Sequence, residues 1–224
     1  RESHTFQTIR QMGLECIGAV DAAVQAEAVG LALQSLAALG VATVLEISHM
    51  GFVTGLLDAL NIEPAARGRL LEYLRGKNGH ELRRAAEKFG LSAAAADSLC
   101  GLLTLHGTPA EVLRQAETCC LCEAQRAALT ELRQLLDTLP PQGCELRLDL
   151  SMADEMDYYN GLVFTGYAAG IPCAVLKGGR YDYLMQRFTP TANAIGFAMY
   201  LDELERLAAP LPPVQQKQPE KIWL

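Results

Sequence analysis

The hydrophobic positions of the first sixty residues change from a helical to a strand period. After Asp21, a residue type that caps helix N-termini, apolar residues recur at helical spacing as far as Gly40. Residues 41–47 read VATVLEI, a β-branched run typical of a strand. A short helix from Met50 to about residue 60 is expected next, so the pattern predicts helix, strand, helix.

Residues 61–140 have a different pattern, dominated by Ala, Leu, Glu and Arg with Gly and Pro between the pieces. This composition predicts a small all-helical unit without strands, ending at Pro140-Pro141. Its Glu- and Arg-rich segment at 63–88 is typical of a solvated helical surface.

Strand patterns return between residues 141 and 207. Residues 144–150 (CELRLDL) alternate apolar and charged positions, which predicts a half-buried antiparallel strand. Further strands are expected over 158–167, 173–176 and 193–199, with Gly178-Gly179 interrupting the chain and a helix over 201–207. Residues 208–224 form a Pro-rich tail.

These patterns together predict an α+β fold: a mainly antiparallel sheet with flanking helices, interrupted by an all-helical insertion. The expected divisions are residues 1–60 for the first part of the sheet domain, 61–140 for the insertion, 141–207 for its second part, and 208–224 for the tail.

Composition and charge exclude several classes of function. Half of the residues are hydrophobic and 20% are charged, which excludes wholesale disorder. The net charge is −7 without a dense basic stretch, which disfavours nucleic acid as a partner. The longest uncharged stretch, residues 28–45, contains polar residues, so no membrane partner is expected. Seven cysteines at irregular spacing are typical of a reducing cytoplasm, and the missing initiator Met indicates a fragment.

Four short motifs carry more specific information: QMGLE at 11–15, DYYNG at 157–161, GGRYD at 178–182 and AIGFA at 194–198. In this order they resemble the catalytic core of histidyl-tRNA synthetase, a class II aminoacyl-tRNA synthetase fold. They resemble still more the synthetase-like regulatory subunit of ATP phosphoribosyltransferase, the first enzyme of histidine biosynthesis. The likeness runs from residue 1 to about residue 207.

The resemblance implies a histidine pocket. In it Gln11 would contact the α-amino or carboxylate end of the ligand, and Glu15 and Tyr159 would hold the two imidazole nitrogens. A neutral imidazole offers one donor and one acceptor, so a carboxylate and a phenol can satisfy both. The implied histidine-binding residues are Gln11, Glu15, Tyr158, Tyr159, Gly178, Gly179, Arg180 and Tyr181.

Taken singly, each of these residues has an ordinary alternative. Glu15 alone is typical of a solvated strand position, and the two tyrosines alone are typical of one core and one surface aromatic. Gly178-Gly179 alone is typical of a turn. Only their joint occurrence supports a site.

Two positions depart from the synthetase pattern. Asp154 and Glu203 stand where the resemblance expects the arginines that neutralise ATP. Two unit charges about 4 Å apart interact by roughly 4 kcal/mol at an effective dielectric constant near 20, so reversed charges oppose triphosphate binding. We therefore expect no catalytic residue and no cofactor.

The resemblance thus implies a non-catalytic regulatory subunit that binds free histidine for feedback control. Its partner would be the short-form catalytic subunit of ATP phosphoribosyltransferase, with a homodimer inside a hetero-oligomer. Only the Pro-rich tail follows the last motif, so no anticodon-binding domain is expected, in agreement with this hypothesis. The alternatives are a divergent or truncated histidyl-tRNA synthetase, a stand-alone histidine-binding paralogue, and a pocket without a ligand.

A metal site is not expected. Cys119, Cys120 and Cys122 include a CxxC spacing, but a structural zinc site needs four ligands and the four histidines lie far apart. These cysteines are expected to pack or to face solvent. His49, directly after a strand, is interpreted as a turn or cap residue.

Overall fold

The computed structural model describes residues 9–140, 143–152 and 159–207, and within these ranges one seven-stranded sheet is surrounded by helices. The strands are β1 (Gln11–Gly18), β2 (Thr43–His49), β3 (His106–Gly107), β4 (Glu145–Asp149), β5 (Leu162–Ala168), β6 (Leu176–Arg180) and β7 (Asn193–Tyr200). The helices are α1 (Ala22–Ala37), α2 (Met50–Ala59), α3 (Pro64–Arg75), α4 (Gly79–Lys88), α5 (Ala93–Leu102), α6 (Pro109–Cys119), α7 (Glu123–Thr138), α8 (Asp182–Gln186) and α9 (Leu201–Leu204).

The strand order is β1-β7-β6-β5-β2-β4-β3. Strands β2 and β4 run parallel, and the other neighbouring pairs are antiparallel. The predicted α+β architecture with a mainly antiparallel sheet is therefore confirmed.

Helix α1 covers one face of the sheet. Leu36 on this helix is fully buried, and a Cβ added to Gly166 of β5 would lie 2.8 Å from its Cδ1 atom. We call this side the helix-covered face. Because side chains alternate along a strand, every second residue points to the opposite side, which we call the open face. The open face includes Glu15 of β1, Gly196 of β7, and Lys177 and Gly179 of β6.

The first sixty residues follow the predicted pattern. The Asp21 side chain caps α1 by accepting a hydrogen bond from the Val24 amide at 2.9 Å. His49 caps α2 in the same way, since its Nδ1 atom accepts from the Gly51 amide at 3.1 Å. The interpretation of His49 as a cap residue is confirmed.

The prediction that Gly178-Gly179 interrupts the chain is wrong. Both glycines lie inside β6, and the strand predicted over 173–176 lies instead at Leu176–Arg180. β6 is paired on both sides, with β5 and with β7. These pairings fix an extended backbone where the local sequence favours a turn.

Two further expectations need correction. β4 was predicted to be antiparallel, yet it pairs with β2 in parallel over Val44–Ile47 and is antiparallel only to the two-residue strand β3. That strand lies inside the region predicted to be entirely helical. The last helix, predicted over 201–207, ends at Leu204, and the Pro-rich tail lies outside the described residues.

The helical unit is attached to the sheet by a hydrogen bond from His49. Because Nδ1 of His49 accepts from Gly51, its Nε2 atom carries the proton and donates to Oε2 of Glu131 on α7 at 3.1 Å. This hydrogen bond is the main reason why the pKa of Glu131 is lower than that of an ordinary glutamate. The pair therefore joins α7 to the end of β2.

A second attachment lies at the turn between α3 and α4. Lys77, in the left-handed region at a φ of 51°, donates from Nζ to Oδ2 of Asp149 at 2.6 Å and to the hydroxyl of Ser151. Ser151 also donates to Asp149, at 2.6 Å from Oγ to Oδ1. This cluster connects the helical unit to the β4 end of the open face.

The lowered pKa of Glu131 predicts a specific dependence of stability on pH. Since the folded-state pKa lies below the unfolded value, the stabilisation is present above the ordinary pKa of 4.5 and is lost as the pH falls through the folded value. In Glu131→Gln the unfolding free energy should therefore fall less steeply below about pH 4.5 than in the wild type. Urea unfolding at several pH values measures this, with the exposed Glu87→Gln as control. Equal slopes in wild type and Glu131→Gln would contradict the prediction.

Candidate functional site

A row of paired residues crosses four strands of the open face. Glu15 of β1 lies opposite Gly196 of β7, Gly196 lies opposite Gly179 of β6, and Gly179 lies opposite Val163 of β5. The centre of this row therefore consists of two neighbouring glycines. Without side chains, they leave a shallow floor of backbone.

Two side chains occupy this floor. A Cβ added to Gly196 would collide with the carboxylate of Glu15 and with the Leu14 carbonyl oxygen. A Cβ added to Gly179 would lie 2.6 Å from Cδ1 of Tyr159. The Glu15 carboxylate and the Tyr159 ring thus lie directly on the backbones of β7 and β6, which only glycine permits.

Tyr181 connects the two groups. Its hydroxyl donates to Oε2 of Glu15, and its ring meets the ring of Tyr159 edge-on, with centroids 6.4 Å apart and planes at 74°. An ionised carboxylate has about four acceptor positions, so Glu15 can still accept from another donor. We call Glu15, Tyr159 and Tyr181, with the glycines beneath them, the Glu15 patch.

Asp182 holds Asn160 and Arg180, which are the sequence neighbours of Tyr159 and Tyr181. Its amide donates to Oδ1 of Asn160 at 2.8 Å, and its Oδ1 atom accepts from the Ala194 amide at 3.1 Å. Its Oδ2 atom accepts from Nε of Arg180 at 2.8 Å. Asn160 lies in the DYYNG motif and Asp182 in the GGRYD motif, but residue type and spacing alone indicate no role for either.

The structure separates other predicted residues from the Glu15 patch. Arg180 and Gly178 alternate with Gly179 in β6 and so belong to the helix-covered side, where a Cβ on Gly178 would lie 2.6 Å from the ring of Phe164. Gln11 shares the face of Glu15 but lies four residues away, about 13 Å along the strand. Tyr158 and Asp154 lie outside the described residues.

A cleft of about 870 Å³ lies on the open face, toward the end where β1 begins. Three carboxylates, two cations and two phenols are among its lining residues. The full lining is Ile9, Tyr167, Cys173, Ala174, Lys177, Tyr200, Asp202, Glu203, Glu205 and Arg206. Glu203 lies in this cleft, whose lining residue Lys177 is two residues from Gly179 of the Glu15 patch.

Hydrogen bonds and ion pairs hold the acidic groups of this cleft. Glu203 pairs with Nη1 of Arg206 at 2.9 Å and accepts from the Cys173 thiol at 3.0 Å. That bond raises the pKa of Cys173. On the other side, Arg10 pairs with Asp202 and with Glu205.

The cysteines of the helical unit form local contacts. The Cys119 and Cys120 thiols each donate to the Ala116 carbonyl at 3.3 Å, and the Cys122 thiol donates to the Gly55 carbonyl at 3.4 Å. In the part of the chain that the structure describes, His, Cys, Asp and Glu side chains do not form a group of three or more that could hold a metal ion. None of the helices in the described ranges has both the length and the apolar character needed to cross a membrane.

The contact between Glu15 and the β7 backbone predicts a strong effect of Gly196→Ala. The added methyl group would displace the Glu15 carboxylate and press on the Leu14 carbonyl in the paired strand, so we expect a loss of about 1–3 kcal/mol in unfolding free energy. Gly68→Ala is the matched control, because its Cβ would meet open space on helix α3. Denaturant unfolding measures both, and an unchanged midpoint for Gly196→Ala would refute the packing described.

Comparison with known proteins agrees with this geometry. The family model described as histidyl-tRNA synthetase matches residues 1–204. An "ATP phosphoribosyltransferase regulatory subunit" from Geobacter sulfurreducens is 36% identical over 199 residues, which cover 88% of this chain and 45% of that protein. The chain thus spans about half the length of this curated relative.

Solved structures give the same picture. An ATP phosphoribosyltransferase regulatory subunit/histidyl-tRNA synthetase from Bacillus halodurans is 30% identical with a TM-score of 0.80, covering 90% of this chain and 54% of that one. A chain of an ATP phosphoribosyl transferase complex from Thermotoga maritima shares the fold at 20% identity and a TM-score of 0.68, covering 90% of this chain and 69% of that one. The chain belongs to the histidyl-tRNA synthetase family, with the class II synthetase fold of that family.

Proposed function

We propose that this protein is a non-catalytic regulatory subunit of ATP phosphoribosyltransferase that binds free histidine. The observation that carries the proposal is the Glu15 patch, in which a carboxylate and two phenols meet over two glycines on the open face. Its setting would be the cytoplasm, where the end product of histidine biosynthesis accumulates.

The chemistry of the patch suits an imidazole. Glu15 accepts the ring N–H, Tyr159 faces the second ring nitrogen, and Tyr181 orients the Glu15 carboxylate through its hydroxyl. Hydrogen bonds to a charged group contribute about 1.5–3 kcal/mol each. The two glycines let the Glu15 carboxylate and the Tyr159 ring lie close to the sheet, and a planar ring would bind above them.

The neighbouring cleft argues against an ATP-dependent enzyme. Both arginines at this cleft are held by its carboxylates: Arg206 pairs with Glu203 at 2.9 Å, and Arg10 pairs with Asp202 and Glu205. Phosphoryl and nucleotidyl transfer depend on neutralising the phosphate charges. Arginines that already pair with carboxylates are poorly suited to this, in agreement with a binding role.

The names of the relatives support the choice of partner. Regulatory subunits of ATP phosphoribosyltransferase match most of this chain at 33–36% identity. We infer that the protein pairs with the short-form catalytic subunit, as a homodimer within a hetero-oligomer. Feedback control then requires that histidine bind one state of the assembly more tightly than the other, with a coupling of typically 1–3 kcal/mol.

A divergent histidyl-tRNA synthetase is the alternative, since the matching family model carries that description. A histidine-dependent exchange between ATP and pyrophosphate distinguishes the two. Clear turnover would favour the synthetase and overturn the regulatory proposal.

Histidine binding gives a direct prediction. In calorimetric titrations the wild type should bind histidine, and Glu15→Gln and Tyr159→Phe should each weaken binding about 10- to 100-fold by removing a hydrogen-bonding group. Glu27→Gln and Tyr183→Phe are matched controls at exposed positions and should bind as the wild type does. If the wild type gives no heat, or the two site variants bind unchanged, the pocket assignment fails.

The partner gives a separate prediction. Co-expression with a short-form ATP phosphoribosyltransferase should yield a complex in a pull-down, and histidine should inhibit that complex. Histidine binding without complex formation would favour a stand-alone histidine-binding paralogue.

A further inference from the structure

Lys177 lies next to the Glu15 patch on the same face of the sheet. It precedes Gly179 by two residues in β6, and it is paired across the sheet with Ala198 of β7, which pairs with Gly13 of β1. The row of Lys177 is therefore adjacent to the row of Glu15. Two residues of strand span about 7 Å, which sets the spacing between the rows.

Among the residues that the structure describes, no carboxylate forms an ion pair with the ammonium group of Lys177. Lys177 is half-buried at the edge of the 870 Å³ cleft and forms no ion pair with the acidic residues of the described ranges. The other cations nearby are engaged: Arg10 by Asp202 and Glu205, and Arg206 by Glu203. A partly desolvated cation without an ion pair in the described ranges favours an anionic partner.

Glu46 shares the row and the face of Lys177 but lies two strands away, toward the β4 end of the sheet. Lys177 is opposite Thr165 of β5, and Thr165 is opposite Glu46 of β2. Burial and the charge of Asp149 raise the pKa of Glu46, and Lys77 and Arg147 are the cations that counteract this. Glu46 thus interacts with the charged groups at the β4 end of the sheet. Lys177 lies on the side of the Glu15 patch.

We propose that Lys177 binds the α-carboxylate of the histidine whose imidazole the Glu15 patch holds. This inference rests on the proposed function, and it names the group that distinguishes the amino acid from other imidazole compounds. Lys177 lies two residues, about 7 Å, along β6 from Gly179, over which the Tyr159 ring lies, so the ammonium group and one side of the Glu15 patch belong to the same strand. Lys177 is then the specificity-determining residue of the site, since it favours a ligand with a carboxylate.

Three ligands that share the imidazole ring test this assignment: histidine, histidinol, in which an alcohol replaces the carboxylate, and histamine, which lacks it. The wild type should bind histidine about 10- to 100-fold more tightly than either analogue. Lys177→Gln should lower the affinity for histidine to that of histidinol while leaving the two analogues unchanged. Lys177→Arg keeps the charge and should keep the preference, and the exposed Lys88→Gln should behave as the wild type.

The variants separate this inference from the function on which it rests. Glu15→Gln should weaken all three ligands alike, whereas Lys177→Gln should weaken histidine alone. If the wild type binds histidine and histidinol equally, or Lys177→Gln keeps the preference, the role of Lys177 is refuted and histidine binding stands. If the wild type binds none of the three, the proposed function itself fails. Circular dichroism of each variant verifies that it is folded.

Discussion

The site depends on two glycines that face each other across neighbouring strands. Gly179 and Gly196 are in register, and each lies under a side chain of the Glu15 patch, Tyr159 on one and Glu15 on the other. A single methyl group at either position would occupy the space of that side chain. The hydrogen bond from Tyr181 to Glu15 forms on top of this floor, so the polar chemistry of the open face follows from a steric property of its backbone.

The fold separates the two requirements of a binding protein. Helix α1 fills the helix-covered face with apolar contacts such as Leu36 on Gly166, while the open face keeps polar side chains available. On that face the Glu15 patch and the acidic cleft are neighbours, as the amino-acid and nucleotide halves of a synthetase site would be. Under the proposed function, the Glu15 patch would hold the amino acid and the ion-paired cleft would disfavour a triphosphate.

The sequence predicted those elements that are stabilised by contacts between residues close together in the chain. The cap of Asp21 on α1 and that of His49 on α2 are contacts within a few residues, and both could be inferred from residue type. Gly178-Gly179 suggested a turn because its extended form comes from pairing with two distant strands, which a single sequence does not show. Which face of the sheet Arg180 and Lys177 occupy depends on the position of β6. The sequence alone therefore could not predict it. The motif resemblance did predict Glu15, Tyr159 and Tyr181, which the structure brings together.

The parallel pair of β2 and β4 has a consequence for how the chain folds. Its register joins Ile47 to Leu148, about a hundred residues apart, and the entire helical unit forms the connection. The entropy of closing a loop grows only logarithmically with its length, but distant pairings form late when they wait for local structure. Helices form within microseconds and shorten the effective distance between the two strands. We therefore expect the helical unit to fold first and the β2–β4 pair to form afterwards at its two ends. The sheet is then completed late in folding, although it lies at the centre of the structure.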